Sequence, residues 1–147
     1  MEPFEVRDGD LLLSSDKELL DIEFIHAYLS QSYWSPEIPK EIVIKAIQHS
    51  LAFGLYNSGI QIRDCRLIPD YATFAYLADV FIVEAEKAKG FGQFLMTNIR
   101  KHPELQGLRK WLLSTQDAHV LYEKSGWKSL ESPEYFMEIA TKDIYKK

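Results

Sequence analysis

The stretch TFAYLADVFIVEAEKAKGFGQFLMTNIR, residues 73–100, decides the fold. Its first part, Phe74 to Val83, is a β-branched and aromatic run containing a single charge, Asp79, and reads as a buried strand. Glu84 to Lys89 is a short charged turn, and Gly90-Phe91-Gly92 then leads into Phe94, Leu95 and Ile99 at helical spacing. Strand, glycine-bearing turn and helix in that order point backbone N–H groups at an anion, and the helix dipole favours the negative charge. The glycines let a ligand approach the main chain closely. A plain tight turn before a helix would show the same pattern.

Spacing separates the rival phosphate sites. The turn lacks the Gly-Lys-Ser/Thr ending of a nucleotide-triphosphate loop, and Leu95 stands where a dinucleotide fingerprint needs its third glycine. It also comes late in the chain, whereas a dinucleotide fold begins with it. Lys87-Ala88-Lys89-Gly90-Phe91-Gly92 instead resembles the acyl-CoA pyrophosphate turn of the GCN5-related N-acetyltransferases, Arg/Gln-x-x-Gly-x-Gly/Ala after a hydrophobic strand. Downstream, Ala118-His119-Val120-Leu121-Tyr122-Glu123-Lys124-Ser125-Gly126-Trp127 is similar to that family's Ala-x-x-Leu-Tyr-x-x-x-Gly-Phe. Two motifs in the right order are far more specific than either alone, and together they span Phe74 to Trp127.

Bulk properties agree with one globular domain over 1–147: 147 residues, 46% hydrophobic and 27% charged. A net charge of -5 argues against general nucleic-acid binding, which needs Lys and Arg to neutralise phosphates. No apolar run approaches the roughly 20 residues that span a bilayer, and the acidic start, Met1-Glu2-Pro3-Phe4-Glu5, does not read as a secretory signal. One cysteine, Cys65, permits no internal disulfide and fits a cytoplasmic protein. The four histidines, His26, His49, His102 and His119, show no metal-ligand spacing, so no metal is expected.

Taken in order, residues 4–14 read as a first strand, with Gly9 a turn or bulge. Ser15-Asp16-Lys17-Glu18 has the spacing of a capping box before a helix that places Leu19, Ile22, Ile25 and Leu29 on one face. Tyr33 to Pro39 is a loop with two adjacent aromatics, and Pro39 suits the first turn of a second helix. Leu51 to Tyr56 and Ile60 to Ile68 are strands joined by Asn57-Ser58-Gly59, which has hairpin-turn chemistry. After the central strand, turn and helix come a short strand at Trp111 to Leu113, a helix over Gln116 to Lys124, and closing strands at Trp127 to Leu130 and Tyr135 to Ile139. The resulting order, β-α-α-β-β-β-α-β-α-β-β, is an α+β arrangement shared with the family named above.

The resemblance implies a mixed sheet whose parallel pair splays apart to admit the pantetheine arm of acetyl-CoA. It implies main-chain contacts to that arm from Val80, Phe81 and Ile82. The pyrophosphate cradle it implies consists of Lys87, Ala88, Lys89, Gly90, Phe91, Gly92 and Gln93. Thr115 stands where many members bind pantetheine through an asparagine, and Lys87 keeps the charge of the usual arginine without its forked geometry. Tyr122 falls where the family keeps the general acid that protonates the leaving thiolate. A phenol near 10 suits that task. For the base, Asp79, Glu84 and a water chain are all open. The amine acceptor is expected against Tyr33 and Trp34 in the first interhelical loop and against Tyr71 and Phe74 at the head of the central strand, where ring faces attract a cationic group. Small polyamines, amino acids, antibiotics, peptide N-termini and lysine side chains all remain open as acceptors. A homodimer is compatible with these features. The alternative to an N-acetyltransferase is a non-catalytic acyl-CoA sensor on the same fold. A third reading, an unrelated nucleotide-binding protein, would bind ATP or NAD more tightly than CoA.

Overall fold

The computed structural model describes residues 2–81 and 90–147. The chain opens on a hairpin, β1 (Glu5–Asp8) and β2 (Leu11–Ser14). One strand was expected over residues 4–14; two form because Gly9 takes φ +59, a left-handed turn that reverses the chain. The capping box does not start a helix. Ser15 Oγ instead accepts the Phe4 N–H at 2.8 Å, and Asp16 accepts the Glu18 N–H at 3.0 Å to cap a 3-10 turn over Lys17–Leu19. The first helix, α1 (Ile22–Leu29), begins later, where the Asp21 carboxylate accepts the Phe24 N–H at 3.1 Å. Pro39 is the N-cap of α2 (Lys40–Gln48).

An antiparallel meander follows: β3 (Leu51–Asn57), β4 (Ile60–Pro69) and β5 (Phe74–Ala78). Next come α3 (Phe91–Ile99), β6 (Lys110–Leu113) and α4 (His119–Glu123). The six strands form one sheet in chain order, antiparallel throughout except for the parallel pair β5–β6. The strand expected to run to Val83 therefore leaves the sheet at Ala78, and α4 starts three residues beyond the expected Gln116.

Alternation along the strands gives the sheet two apolar faces. Phe53, Leu55, Cys65, Leu67 and Leu77 pack with Leu95, Met96 and Ile99 of α3 and Tyr122 of α4. On the other side Ala52 joins Ile25 and Leu29 of α1 and Val43 and Ile47 of α2. Burying each large side chain stabilises by about 1.5–3 kcal/mol, and this fixes α3 rigidly on the sheet. As the crossover between parallel strands, α3 starts at the C-terminal end of β5.

Neither closing strand forms. After Trp127 the chain has only a 3-10 turn at Pro133–Tyr135, and Tyr135, Met137 and Ile139 lie in solvent. Pro133 lacks the N–H that a ladder needs, and among the described residues no strand pairs with residues 135–139. Among the described residues no helix is long and apolar enough to cross a membrane.

Candidate active site

β5 and β6 are paired from Phe74↔Lys110 to Leu77↔Leu113, and there the ladder stops. Asp79 takes φ +64, a left-handed conformation uncommon for a residue with a Cβ, and turns the chain out of the sheet. Two parallel strands that part at their C-terminal ends leave backbone groups unpaired where open α/β sheets hold ligands. A cavity of about 530 Å3 occupies the gap, with Leu77 to Val80 on one side and Leu113 to Thr115 on the other.

Side chains hold Asp79 in this turn. Its Oδ2 accepts Arg66 Nε at 2.8 Å, and its Oδ1 accepts Trp34 Nε1 at 3.2 Å. Arg66 Nη1 donates onward to Ser50 Oγ at 3.0 Å, and that hydroxyl donates to Ala46 O in α2 at 2.6 Å. The pair is largely desolvated, with side-chain exposures of 18% and 14%. Both carboxylate oxygens are therefore engaged.

The loop between α1 and α2 lies over the gap and is pinned to both of its rims. Trp34 bonds to Asp79 beyond β5, while Tyr33 Oη accepts the Gln116 N–H beyond β6 at 2.8 Å. The two rings meet edge to face at 5.0 Å, and Trp34 packs on Tyr28 at 6.1 Å. Tyr33, Trp34 and Tyr76 line the cavity as an aromatic wall, joined by the carboxylate of Asp117. Tyr71 and Phe74 lie elsewhere. Phe74 opens β5 three residues before the last pair of the ladder at Leu77, so it stands roughly 10 Å from the parting point at about 3.3 Å per residue, and neither residue lines the cavity.

Tyr122, from α4, is 6% exposed and stands between this cavity and a second of about 350 Å3 behind it. Burial pushes its phenol well above the usual value of 10, with nearby Cys65 and Tyr33 adding to the effect. The phenol therefore stays protonated at neutral pH, as a proton donor must. Thr115 Oγ1 accepts the Ala118 N–H at 3.2 Å and so organises the start of α4, while also facing both cavities.

Gly90 caps α3 with φ +75 and no side chain completes the cap. Phe94 N–H donates to Gly90 O at 3.0 Å. Among the described residues the N–H groups of Phe91, Gly92 and Gln93 have no acceptor within the helix, which suits an anion. The Gln93 side chain ties α3 to the end of α4, donating to Ser125 Oγ at 2.8 Å, so its main-chain N–H is what it offers a ligand. Val80 lines the main cavity, whereas Phe81 stacks on Tyr28 at 3.8 Å with its side chain in the core. Ile82, Glu84, Lys87, Ala88 and Lys89 lie outside the described residues. Among the described residues no group of three His, Cys, Asp or Glu could hold a metal ion.

Sequence reading missed Arg66, Ser50, Asp117, Tyr76 and Gln116. Arg66 was accessible in principle: a hairpin register of Pro69↔Ala75 carries Arg66 opposite Ala78, one residue from the lone strand acid.

No family model matches the chain. A protein of Gibberella zeae named "Putative acetyltransferase" is 30% identical over 140 residues, covering 80% of this chain and 78% of that one. A crystal structure from Xanthomonas campestris pv. campestris, described as a putative acetyltransferase belonging to the GNAT family, is 43% identical. It superposes with a TM-score of 0.87 over 93% of this chain and 97% of that one. A GNAT family acetyltransferase from Streptococcus pneumoniae, 16% identical, shares the fold at a TM-score of 0.68 over 90% of this chain and 97% of its own.

Proposed function

Because this chain belongs to the GCN5-related N-acetyltransferase (GNAT) family, we propose that it transfers an acetyl group from acetyl-CoA directly to a primary amine within a ternary complex. Three features of the site fit that donor. The uncapped N-terminus of α3 suits a pyrophosphate. The gap between β5 and β6 offers unpaired backbone to an extended arm. The cavity of about 530 Å3 can hold the thioester end together with a small amine. Acetyl-CoA supplies an acetyl group already activated as a thioester.

The chain's own residues position and protonate. Tyr122 holds the proton that the leaving sulfur takes, and burial keeps that proton in place across the neutral range. Main-chain N–H groups where β5 and β6 part can stabilise the oxyanion formed when the amine nitrogen attacks the carbonyl carbon and the C–S bond breaks. Both oxygens of Asp79 are bonded, which favours a water chain over this carboxylate for taking the proton from the amine. Asp79 then serves to position Trp34. The wall of Tyr33, Trp34 and Tyr76 with Asp117 suits a cationic acceptor that docks as an ammonium and loses its proton before attack.

The observation that carries this reading is the aromatic loop bonded to both rims of the parted strands. Trp34→Ala is expected to raise the acceptor KM while sparing that for acetyl-CoA. An unchanged acceptor KM in the folded variant would refute this placement of the acceptor.

A further inference from the structure

We propose that the chain carries a second anion site, remote from the donor and acceptor cavities, which takes a compact phosphate dianion, free or as a small phosphate monoester. This inference does not depend on the proposed reaction. Arg100, Arg109, Lys110 and Lys128 line a pocket of about 240 Å3 together with Trp111 and Trp127. Among the described residues no carboxylate lines it, although acidic residues outnumber basic ones 22 to 17 in the chain. Three segments distant in sequence supply the four cations: the end of α3, the start of β6 and the residues after α4. Clustered like charges repel, and an anion between them relieves that repulsion.

Neutral groups position these cations, so their charge remains uncompensated. Arg100 Nη1 donates to Ser125 O at 3.0 Å. Gly126 makes room for it: φ is +94 there, and a Cβ would come within 3.2 Å of Arg100 Nη1. Lys110 Nζ lies 4.8 Å from the centre of the Phe136 ring. The main-chain N–H groups of Arg109 and Lys110 both donate to Thr73 O, at 2.9 and 3.2 Å, which fixes the start of β6. Among the described residues none of the four side chains pairs with a carboxylate. The ordinary reason for a cation at Arg100, attraction to the C-terminal end of α3, does not extend to Arg109 and Lys128.

The walls set the ligand class. Trp111 and Trp127 meet edge to face at 6.4 Å, and the Trp127 indole N–H is buried with no acceptor among the described residues. Guanidinium, ammonium and indole groups all donate and none accepts, a set suited to phosphate oxygens. The volume falls below the roughly 300–1,000 Å3 of pockets for drug-sized molecules, which favours a compact anion. Distance separates this pocket from the donor site. Gly90 and Arg100 cap opposite ends of α3, about 15 Å apart at 1.5 Å per residue. Lys110 is paired at the far end of the β5–β6 ladder, roughly 10 Å before the strands part.

Nuclear magnetic resonance can read the pocket directly, because the chain has only three tryptophans and Trp34 lines the other cavity. Inorganic phosphate is titrated at constant ionic strength with excess CoA present, which under the proposed reading occupies the α3 cap. The indole N–H signals of Trp111 and Trp127 should shift to saturation while that of Trp34 stays in place. In Arg109→Ala/Lys128→Ala phosphate should bind at least about tenfold more weakly, the loss expected for charge-assisted contacts. Both side chains are exposed, so the circular dichroism spectrum should be unchanged. Lys45→Ala/Lys142→Ala removes the same charge elsewhere on the surface and should leave the phosphate Kd as it is. Glycerol phosphate in place of inorganic phosphate tells the two sources apart: tighter binding assigns the pocket to a monoester, equal or weaker binding to the free ion. A linear shift without saturation or equal weakening in both double variants would mean an adventitious ion only and overturn the proposal. Saturation of the Trp111 and Trp127 signals by CoA alone would overturn it as well.

Discussion

The ion pair under the aromatic wall makes a quantitative demand. Arg66 Nε lies 2.8 Å from Asp79 Oδ2, with side-chain exposures of 18% and 14%. Charge centres about 4 Å apart attract by roughly 4 kcal/mol at an effective dielectric near 20. Desolvation of both groups offsets much of this, and residual solvent screens more, leaving a coupling of about 1–3 kcal/mol. Arg66→Gln, Asp79→Asn and the double variant form a cycle that isolates this value by urea unfolding. Each single variant should lose stability, because one charge is left half-buried without its partner, and the double variant should recover much of the loss. Kinetics give a second readout. If Asp79 positions Trp34, Arg66→Gln and Asp79→Asn raise the acceptor KM with kcat falling only a few-fold, and the pH profile keeps its shape. Losses of stability that add to within about 0.5 kcal/mol would show the pair to be uncoupled. A collapse of kcat with loss of the acidic limb in Asp79→Asn would make this carboxylate the base.

Tyr122→Phe should lower turnover by roughly ten- to a thousand-fold while leaving CoA affinity nearly unchanged. Because burial raises the phenol above its usual value, it remains protonated through pH 9, and an alkaline limb below that pH abolished by the substitution would contradict this assignment. At the α3 cap, Gly90→Ala should cost about 1–2 kcal/mol in thermal unfolding because φ is +75. In Gly92→Ala the new methyl would meet only Leu121 methyls at 3.8 and 3.9 Å, so that variant should fold normally and any loss of CoA binding would report close ligand approach. Asp64 lies in β4 at 5% exposure, and burial, helped by Asp79, raises its carboxyl well above the usual range. A raised folded-state pKa means the native state holds the proton longer. This contribution is intact below about pH 4 and is lost as pH climbs toward the folded value, at up to about 1.4 kcal/mol per pH unit. Asp64→Asn should therefore flatten the stability–pH curve above pH 4 and match or exceed the wild type at pH 7. A parallel curve would place the raised group elsewhere.

Much of this arrangement was legible in the sequence because local signals and global packing agree. The strand beginning at Phe74 and the helix carrying Leu95 and Ile99 announce themselves by periodicity, and both contribute to the core on the sheet's helical face. Tyr33, Trp34 and Tyr122 line one cavity. What stayed hidden depends on competition between equivalent local choices. Ser15 and Asp21 are both good caps, and Ser15 was drawn off by the Phe4 N–H. The turn at Asp79 has no local signature, because its left-handed conformation is held by Trp34 and Arg66 from distant elements. Tyr71 and Phe74 are close in sequence to Asp79, yet strand direction carries them to the far end of β5. Residues 135–139 read as a strand on composition alone, and among the described residues they pair with no strand.

The most direct test of the central claim is CoA thiol release from acetyl-CoA in the presence of a panel of primary amines, with the N-acetylated products identified by mass spectrometry. A donor site at the α3 cap and an acceptor site under Tyr33 and Trp34 predict amine-dependent release. Double-reciprocal plots should intersect, as required when both substrates are bound before transfer. Tight CoA binding with no release above the amine-free background across the panel would contradict the claim and make the chain a sensor of acyl-CoA.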